Sequence, residues 1–132
     1  MKEVKKMAKL LKKEFNIILT RGDTYSLDFD VSNLTSTDLT EAYMTCKEKN
    51  NPSGTALFCK KLNSGITKIS SGKYKVSLTR ADTINLEIEE KYMYDIEIKY
   101  GNEIKTIVSG TLKLMQDYTT PADENSDEES GT

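Results

Sequence analysis

The chain has 132 residues, no His, no Trp, two Cys and a formal net charge of −2, long enough for one domain to bury a core without metal or disulfide staples. The lack of His excludes imidazole catalysis and most zinc-ligand sets, and no apolar run approaches the roughly 20 residues that span a bilayer. The lysine-rich start has neither the continuous apolar stretch nor the small-residue cleavage site of a secretory leader, so the expectation is a soluble protein made and kept in the cytoplasm.

The modest net charge hides an uneven spread. Residues 1–13 carry six lysines against Glu3, and residues 117–132 carry six acids and no base. In the head, Val4, Met7, Ala8, Leu10 and Leu11 recur at helical spacing between lysines, which predicts a basic amphipathic helical arm over residues 1–14. Such an arm can lie on an anionic membrane, bind nucleic acid, pack on its own domain or a partner chain, or fray, since three turns are marginal alone. Packing against protein is the favoured expectation. It makes Val4, Met7, Leu10 and Leu11 the partner-binding stripe, with Lys5, Lys9 and Lys12 around it. No aromatic residue interrupts the lysines before Phe15, which disfavours base stacking and with it nucleic acid.

Next come the strands. "FNIIL" (15–19) is a weak one, and "YSLDFDV" a strong one: Tyr25, Leu27, Phe29 and Val31 face one way, Ser26, Asp28 and Asp30 the other. Between them "TRGDT" (20–24) poses two readings. Arg21-Gly22-Asp23 is the tripeptide that integrins read on matrix proteins; the same letters make a tight turn, with Gly22 at positive φ. Turn chemistry accounts for each letter, and an adhesion ligand would need export, so the turn is expected.

Further strands follow at 41–49, 56–62, 66–70, 73–79, 91–100 and 104–115, punctuated by turn signals at 51–54, 71–72 and 101–102. In the strongest, Tyr92, Tyr94, Ile96, Ile98 and Tyr100 alternate with Lys91, Met93, Asp95, Glu97 and Lys99. One segment, "TRADTINL" (79–86), instead predicts a short helical turn capped by Thr79 or Asp82. No heptad, phosphate loop or internal repeat is evident. Seven or eight short strands with one helical crossover predict an all-β, immunoglobulin-like antiparallel sandwich over 15–118. From 119 to 132, "TTPADENSDEESGT" predicts an acidic disordered tail, either a solvated terminus or a segment that docks on a basic surface.

Cys46 and Cys59 lie about equally far from a hairpin tip at Pro52-Ser53, which predicts that they face each other across paired strands, as reduced core thiols. Without His or more Cys they make no metal site, and no cofactor motif is present. Asp28/Asp30 and Glu87/Glu89/Glu90 fall where solvated faces need charge, and no Ser or Thr has a plausible base. The expectation is a protein that is not an enzyme.

The ordered segments "ILTRGDTYSLDFDV", "DLTEAYMTCKEK", "ALFCKKL", "GITKISSGKYKVSLTRADTINL" and "YMYDIEIKYGNEIKTIVSGTLKLMQDYT" resemble a family of small β-sandwich modules in tailed phages and prophages of Gram-positive bacteria. That family includes the N-terminal domain of baseplate upper proteins, where receptor-binding or fibre proteins attach. The resemblance covers residues 16–119. Its marks are the RGDT corner, Leu39-Thr40 before a strand, L-T-x-x-D-T at 78–83 and Y-x-Y-D-I at 92–96. It implies a virion subunit, assembled in the host cytoplasm, whose partners are other virion subunits in a symmetric or homo-oligomeric array. The basic head and acidic tail depart from the pattern and suggest a free-standing accessory subunit of the tail or baseplate. Capsid decoration and a carbohydrate- or host-protein-binding module are the alternatives. For the last, Tyr25, Tyr43, Tyr92, Tyr94 and Tyr100 would have to supply a stacking surface.

Overall fold

The computed structural model describes residues 13–88 and 91–124. Among them the chain is all-β apart from short helical turns. In chain order the strands are β1 (Lys13–Glu14), β2 (Ile17–Thr20), β3 (Tyr25–Asp30), β4 (Glu41–Glu48), β5 (Phe58–Leu62), β6 (Gly65–Ser70) and β7 (Lys73–Leu78). The helical turn α1 (Arg80–Thr83) then leads to β8 (Lys91–Tyr100) and β9 (Glu103–Met115). They hydrogen-bond along the path β1-β9-β8-β4-β5-β6-β7-β3, with β2 joining the same β9 that β1 pairs.

Period-2 alternation explains which residues build the core. Ala42, Met44 and Cys46 of β4, Tyr74, Val76 and Leu78 of β7, and Tyr92, Tyr94, Ile96 and Ile98 of β8 are all buried, while their neighbours face outward. One interruption occurs in β9: pairing shifts from Ile96–Val108 to Glu97–Thr106, so Ile107 is the extra residue of a bulge and is buried beside Val108. Two residues later the chain between β1 and β2 crosses over Gly110. A Cβ there would sit 2.0 Å from the Phe15 carbonyl oxygen, so only glycine fits. That carbonyl accepts from the Tyr94 hydroxyl at 2.6 Å, and the Thr111 N–H donates to Asn16 Oδ1 at 3.0 Å.

Several expectations change. The arm expected as helix through residue 14 has become strand β1 by Lys13; residues 1–12, with the whole partner-binding stripe, lie outside the described residues. "TRGDT" does not join a hairpin, because β2 pairs in parallel with β9 while β3 pairs with β7. The disorder expected from 119 to 132 does not hold over residues 119–124, and residues 125–132 lie outside the described residues. Residues 121–124 make a helical turn in which the Asp123 carboxylate accepts from the Thr120 N–H and hydroxyl at 3.0 and 2.9 Å. Thr-Pro-Ala-Asp is itself a start signal, with a capping residue, proline at the first helical position and an acid two residues on. At the other helical turn Thr79 is the N-cap, its N–H donating to Asp82 Oδ2 at 2.7 Å.

Candidate functional site

The pentapeptide "TRGDT" at 20–24 has a near copy, "TRADT", at 79–83, and the fold sets one against the other. Gly22 is buried at φ +86°, the value that the third residue of a type II turn requires. Its N–H donates to Thr83 Oγ1 at 2.8 Å, and its carbonyl accepts from Arg80 Nε at 3.3 Å. Arg21 turns inward: Nε donates to Asp117 Oδ1 at 2.9 Å and a terminal nitrogen donates to the Leu86 carbonyl at 3.1 Å. The Asp117 side chain is only 7% exposed. An arginine spent in this way is not displayed to a receptor, so the corner holds the fold together. The repeat was readable in the sequence as two matching pentapeptides, a signal the strand periodicity overshadowed.

The same corner gathers more charge. Lys60 Nζ meets Asp82 Oδ2 at 2.7 Å, with both side chains mostly covered. Arg80 reaches across to Glu124 with both terminal nitrogens, which anchors the 121–124 turn. The Arg80 partner holds the Glu124 carboxyl below its ordinary range, and Thr120 does the same for Asp123.

The second feature is an open face. The outward residues of β5, β4, β8, β9 and β2 form one continuous surface whose middle is a shallow depression of about 660 Å³. Its register rows run Lys61–Tyr43–Glu97–Thr106, Cys59–Thr45–Asp95–Ser109 and Lys47–Met93–Thr111. Lys99 Nζ sits 5.8 Å from the centroid of the Tyr43 ring, and the Tyr43 hydroxyl donates to Glu41. Towards the β2 end the surface becomes apolar, with Ile18 68% and Met115 44% exposed on adjacent strands.

The cysteines do not face each other. β4 and β5 pair Thr45 with Cys59 and Cys46 with Phe58, one residue away from the symmetric register. That slip puts the two thiols on opposite faces: both are free, Cys46 buried and Cys59 exposed. Burial pushes the Cys46 thiol up to about 12. The five tyrosines are likewise dispersed: Tyr92 and Tyr94 are buried, and Tyr25, Tyr43 and Tyr100 are half-buried. Asp28 and Asp30 are exposed opposite Lys75 and Lys73, and hydrogen bonds from Ser32 hold the Asp30 carboxyl below its ordinary range. Glu87 is exposed, and Glu89 and Glu90 lie outside the described residues. Among the described residues no three His, Cys, Asp or Glu side chains are grouped to hold a metal ion.

No protein-family model matches the chain, and no curated protein does. Among solved structures, the chain is similar to the extracellular fragment, including the stalk region, of novel immune-type receptor 11 from Ictalurus punctatus. That similarity has 14% identity and a TM-score of 0.43, and covers 92% of this chain and 98% of that one.

Proposed function

We propose that the chain is a non-enzymatic, immunoglobulin-like β-sandwich subunit that works by protein–protein contact in a tailed-phage or phage-tail-like particle, at the tail or baseplate. The observation that carries the contact function is the open face. Five strands about 4.8 Å apart and a ten-residue β8 give it dimensions of about 20 by 30 Å. That is the same order as the roughly 800 Å² each partner contributes to a standard interface. Its chemistry suits a partner: Tyr43 and Met93 among paired charges, grading to the exposed Ile18 and Met115. A face backed by nine cross-linked strands presents these groups without an ordering cost, as a building block requires.

The sandwich reading rests on the strand path. The ladder between β5 and β6 has two residue pairs, Lys61–Gly65 and Leu62–Ile66. This short link lets β9-β8-β4-β5 and β6-β7-β3 act as separate layers, each giving one face to a common core. The particle reading rests on the resemblance over residues 16–119. A carbohydrate-binding role finds less support, because the tyrosines it needs as a platform are turned inward or capped by Lys99.

The test is particle composition. In particles purified by density gradient from the producing host, quantitative mass spectrometry is expected to find this chain at a fixed ratio to the tail proteins. Gold-labelled antibody is expected at the tail or baseplate. Labelling of the head would move the subunit to the capsid, and a chain found only in the free lysate would overturn the particle reading. Thr45→Arg with Met93→Arg should keep the circular dichroism spectrum and lower incorporation at least tenfold.

A further inference from the structure

The two ends of the strand path do not meet. Among the described residues β1 pairs only with β9 and β3 only with β7, and a groove of about 300 Å³ lies between these edges. That volume is the liquid share of about ten water molecules. The floor is apolar: Phe15, Leu27, Phe29, Leu34, Ile107 and Val108. The β9 bulge is what turns Ile107 and Val108 towards it together. Phe15, Leu27 and Leu34 remain half-buried, so the floor is unfinished.

The chain enters the described structure at this place. Lys13, its first described residue, is itself part of the groove wall. The sequence that precedes Lys13 is thus tethered at the groove wall, and it carries the large apolar residues Val4, Met7, Leu10 and Leu11 at helical spacing. Twelve residues would extend about 18 Å as a helix, enough to cross the roughly 13 Å of β3 that residues 27–30 give to the groove. The exposed Asp28 and Asp30 stand on the β3 rim, and the segment brings Lys2, Lys5, Lys6, Lys9 and Lys12. Lys75 and Lys73 of β7 stand directly opposite those acids, so charge at the rim would orient an occupant while apolar contact with the floor would supply the attraction.

We infer that residues 1–12 dock in cis in the groove between β1 and β3, with Val4, Met7, Leu10 and Leu11 against its apolar floor. The direct covalent tether at Lys13 favours the chain's own segment over that of a second copy, since a short linker gives an effective concentration in the millimolar range. Docking here also covers the edge of β3 that no described strand pairs, which otherwise offers a template for another strand. The inference concerns the free chain and is independent of the particle reading.

A disulfide-trapping experiment on the full chain tests it. Cys59→Ser removes the exposed thiol, and Cys46 is buried and stays protonated. Met7→Cys is then combined with Asn33→Cys on the groove rim or, as a control, with Thr111→Cys on the open face. Under mild oxidant the Asn33 pair is expected to form an intramolecular disulfide at least tenfold faster than the Thr111 pair. Adding Leu10→Asp and Leu11→Asp should reduce it to the control rate. Disulfide-linked dimers would show that the segment is exchanged between copies, and equal rates for the two pairs would show that it does not dock; either overturns the inference. In the unmodified, isotope-labelled chain, nuclear Overhauser contacts from the Leu10 and Leu11 methyls to Phe29 and Ile107 are expected. Their absence would overturn it independently of any variant.

Discussion

Thr20–Thr24 and Thr79–Thr83 differ by one side chain, Gly22 against Ala81, and the fold uses them in opposite ways. Both begin with the same backbone bond: Asp23 N–H to the Thr20 carbonyl at 3.0 Å, and Asp82 N–H to the Thr79 carbonyl at 3.1 Å. Then they part. Gly22 takes φ +86° and turns the chain from β2 to β3, whereas the copy with Ala81 winds on, with Ile84 N–H bonding the Arg80 carbonyl at 3.0 Å. Positive φ costs an alanine about 1–2 kcal/mol and costs glycine almost nothing. A Cβ thus bars the second copy from the corner, while the surroundings of each copy select the turn it makes. The arginines diverge as a consequence: Arg21 is drawn inward to Asp117, while Arg80 lies over the corner and reaches Glu124.

Removing glycine from the corner should break this contrast most severely. Gly22→Val must hold a β-branched residue at φ +86° and displace Ile84 Cδ1, which would lie 2.8 Å from the new Cβ. The expected cost is about 3 kcal/mol, a fall in melting temperature of about 10 °C. An unchanged melting temperature would mean that the corner does not need this conformation. Arg21→Met should follow at about 2 kcal/mol, because it strands the covered Asp117 carboxylate. Arg21 is one-quarter exposed, which keeps the loss below that of a fully buried pair. In a double-mutant cycle with Asp117→Asn the coupling should exceed about 1 kcal/mol; additive losses would show that the pair carries nothing.

Smaller changes sharpen the comparison. Thr83 is fully buried and accepts the Gly22 N–H, so Thr83→Val should cost about 1–2 kcal/mol in chemical denaturation. Its counterpart Thr24 is exposed, and Thr24→Val should stay within about 0.5 kcal/mol of the parent. Ala81→Gly makes the two pentapeptides identical in sequence. It should cost less than about 1 kcal/mol and leave the helical turn in place, because Asp82 still caps Thr79. A positive φ at position 81 in that variant, read from its coupling constants, would show that the pentapeptide and not its surroundings dictates the corner.

Strands were legible wherever one face is buried, since a period of two is then written into the residues, as in β4, β7 and β8. Pairing was less legible. Nothing local in "NIIL" tells that β2 runs parallel to β9, and the reading of a hairpin at "TRGDT" failed for that reason. The cysteine pair failed by one residue of register, which is enough to put Cys46 and Cys59 on opposite faces. Of the candidate sites, the positive φ of Gly22 was readable from turn chemistry alone. The inward pull on Arg21 was not, because Asp117 lies 96 residues away. The groove depends on the β9 bulge bringing Ile107 and Val108 beside Phe15, a meeting that no periodicity encodes.

The gentlest difference between the twin arginines is their response to acid. Arg80 and Glu124 are both exposed, so their pair lends little to global stability and much more to the local order of residues 121–124. Glu124 has its carboxyl lowered from 4.5 by the hydrogen bond from Arg80, and Asp123 has its own lowered from 3.8 by hydrogen bonds from Thr120. A carboxyl with a depressed folded value contributes stability that is fully present above the unfolded value and lost as pH falls through the folded one. The turn should therefore be unaffected from neutral pH down to about 5 and should loosen progressively below about 4. The Glu124 amide, which donates to the Thr120 carbonyl at 3.0 Å, reports this directly. Its exchange rate, corrected for intrinsic pH dependence, should rise below pH 4 while the Gly22 amide at the buried corner stays protected. In Arg80→Ala the Glu124 midpoint should move up towards the ordinary glutamate value, and in Arg21→Met it should not move. A common midpoint for both amides would mean that corner and tail open as one unit, and the contrast between the two arginines would then be one of position only.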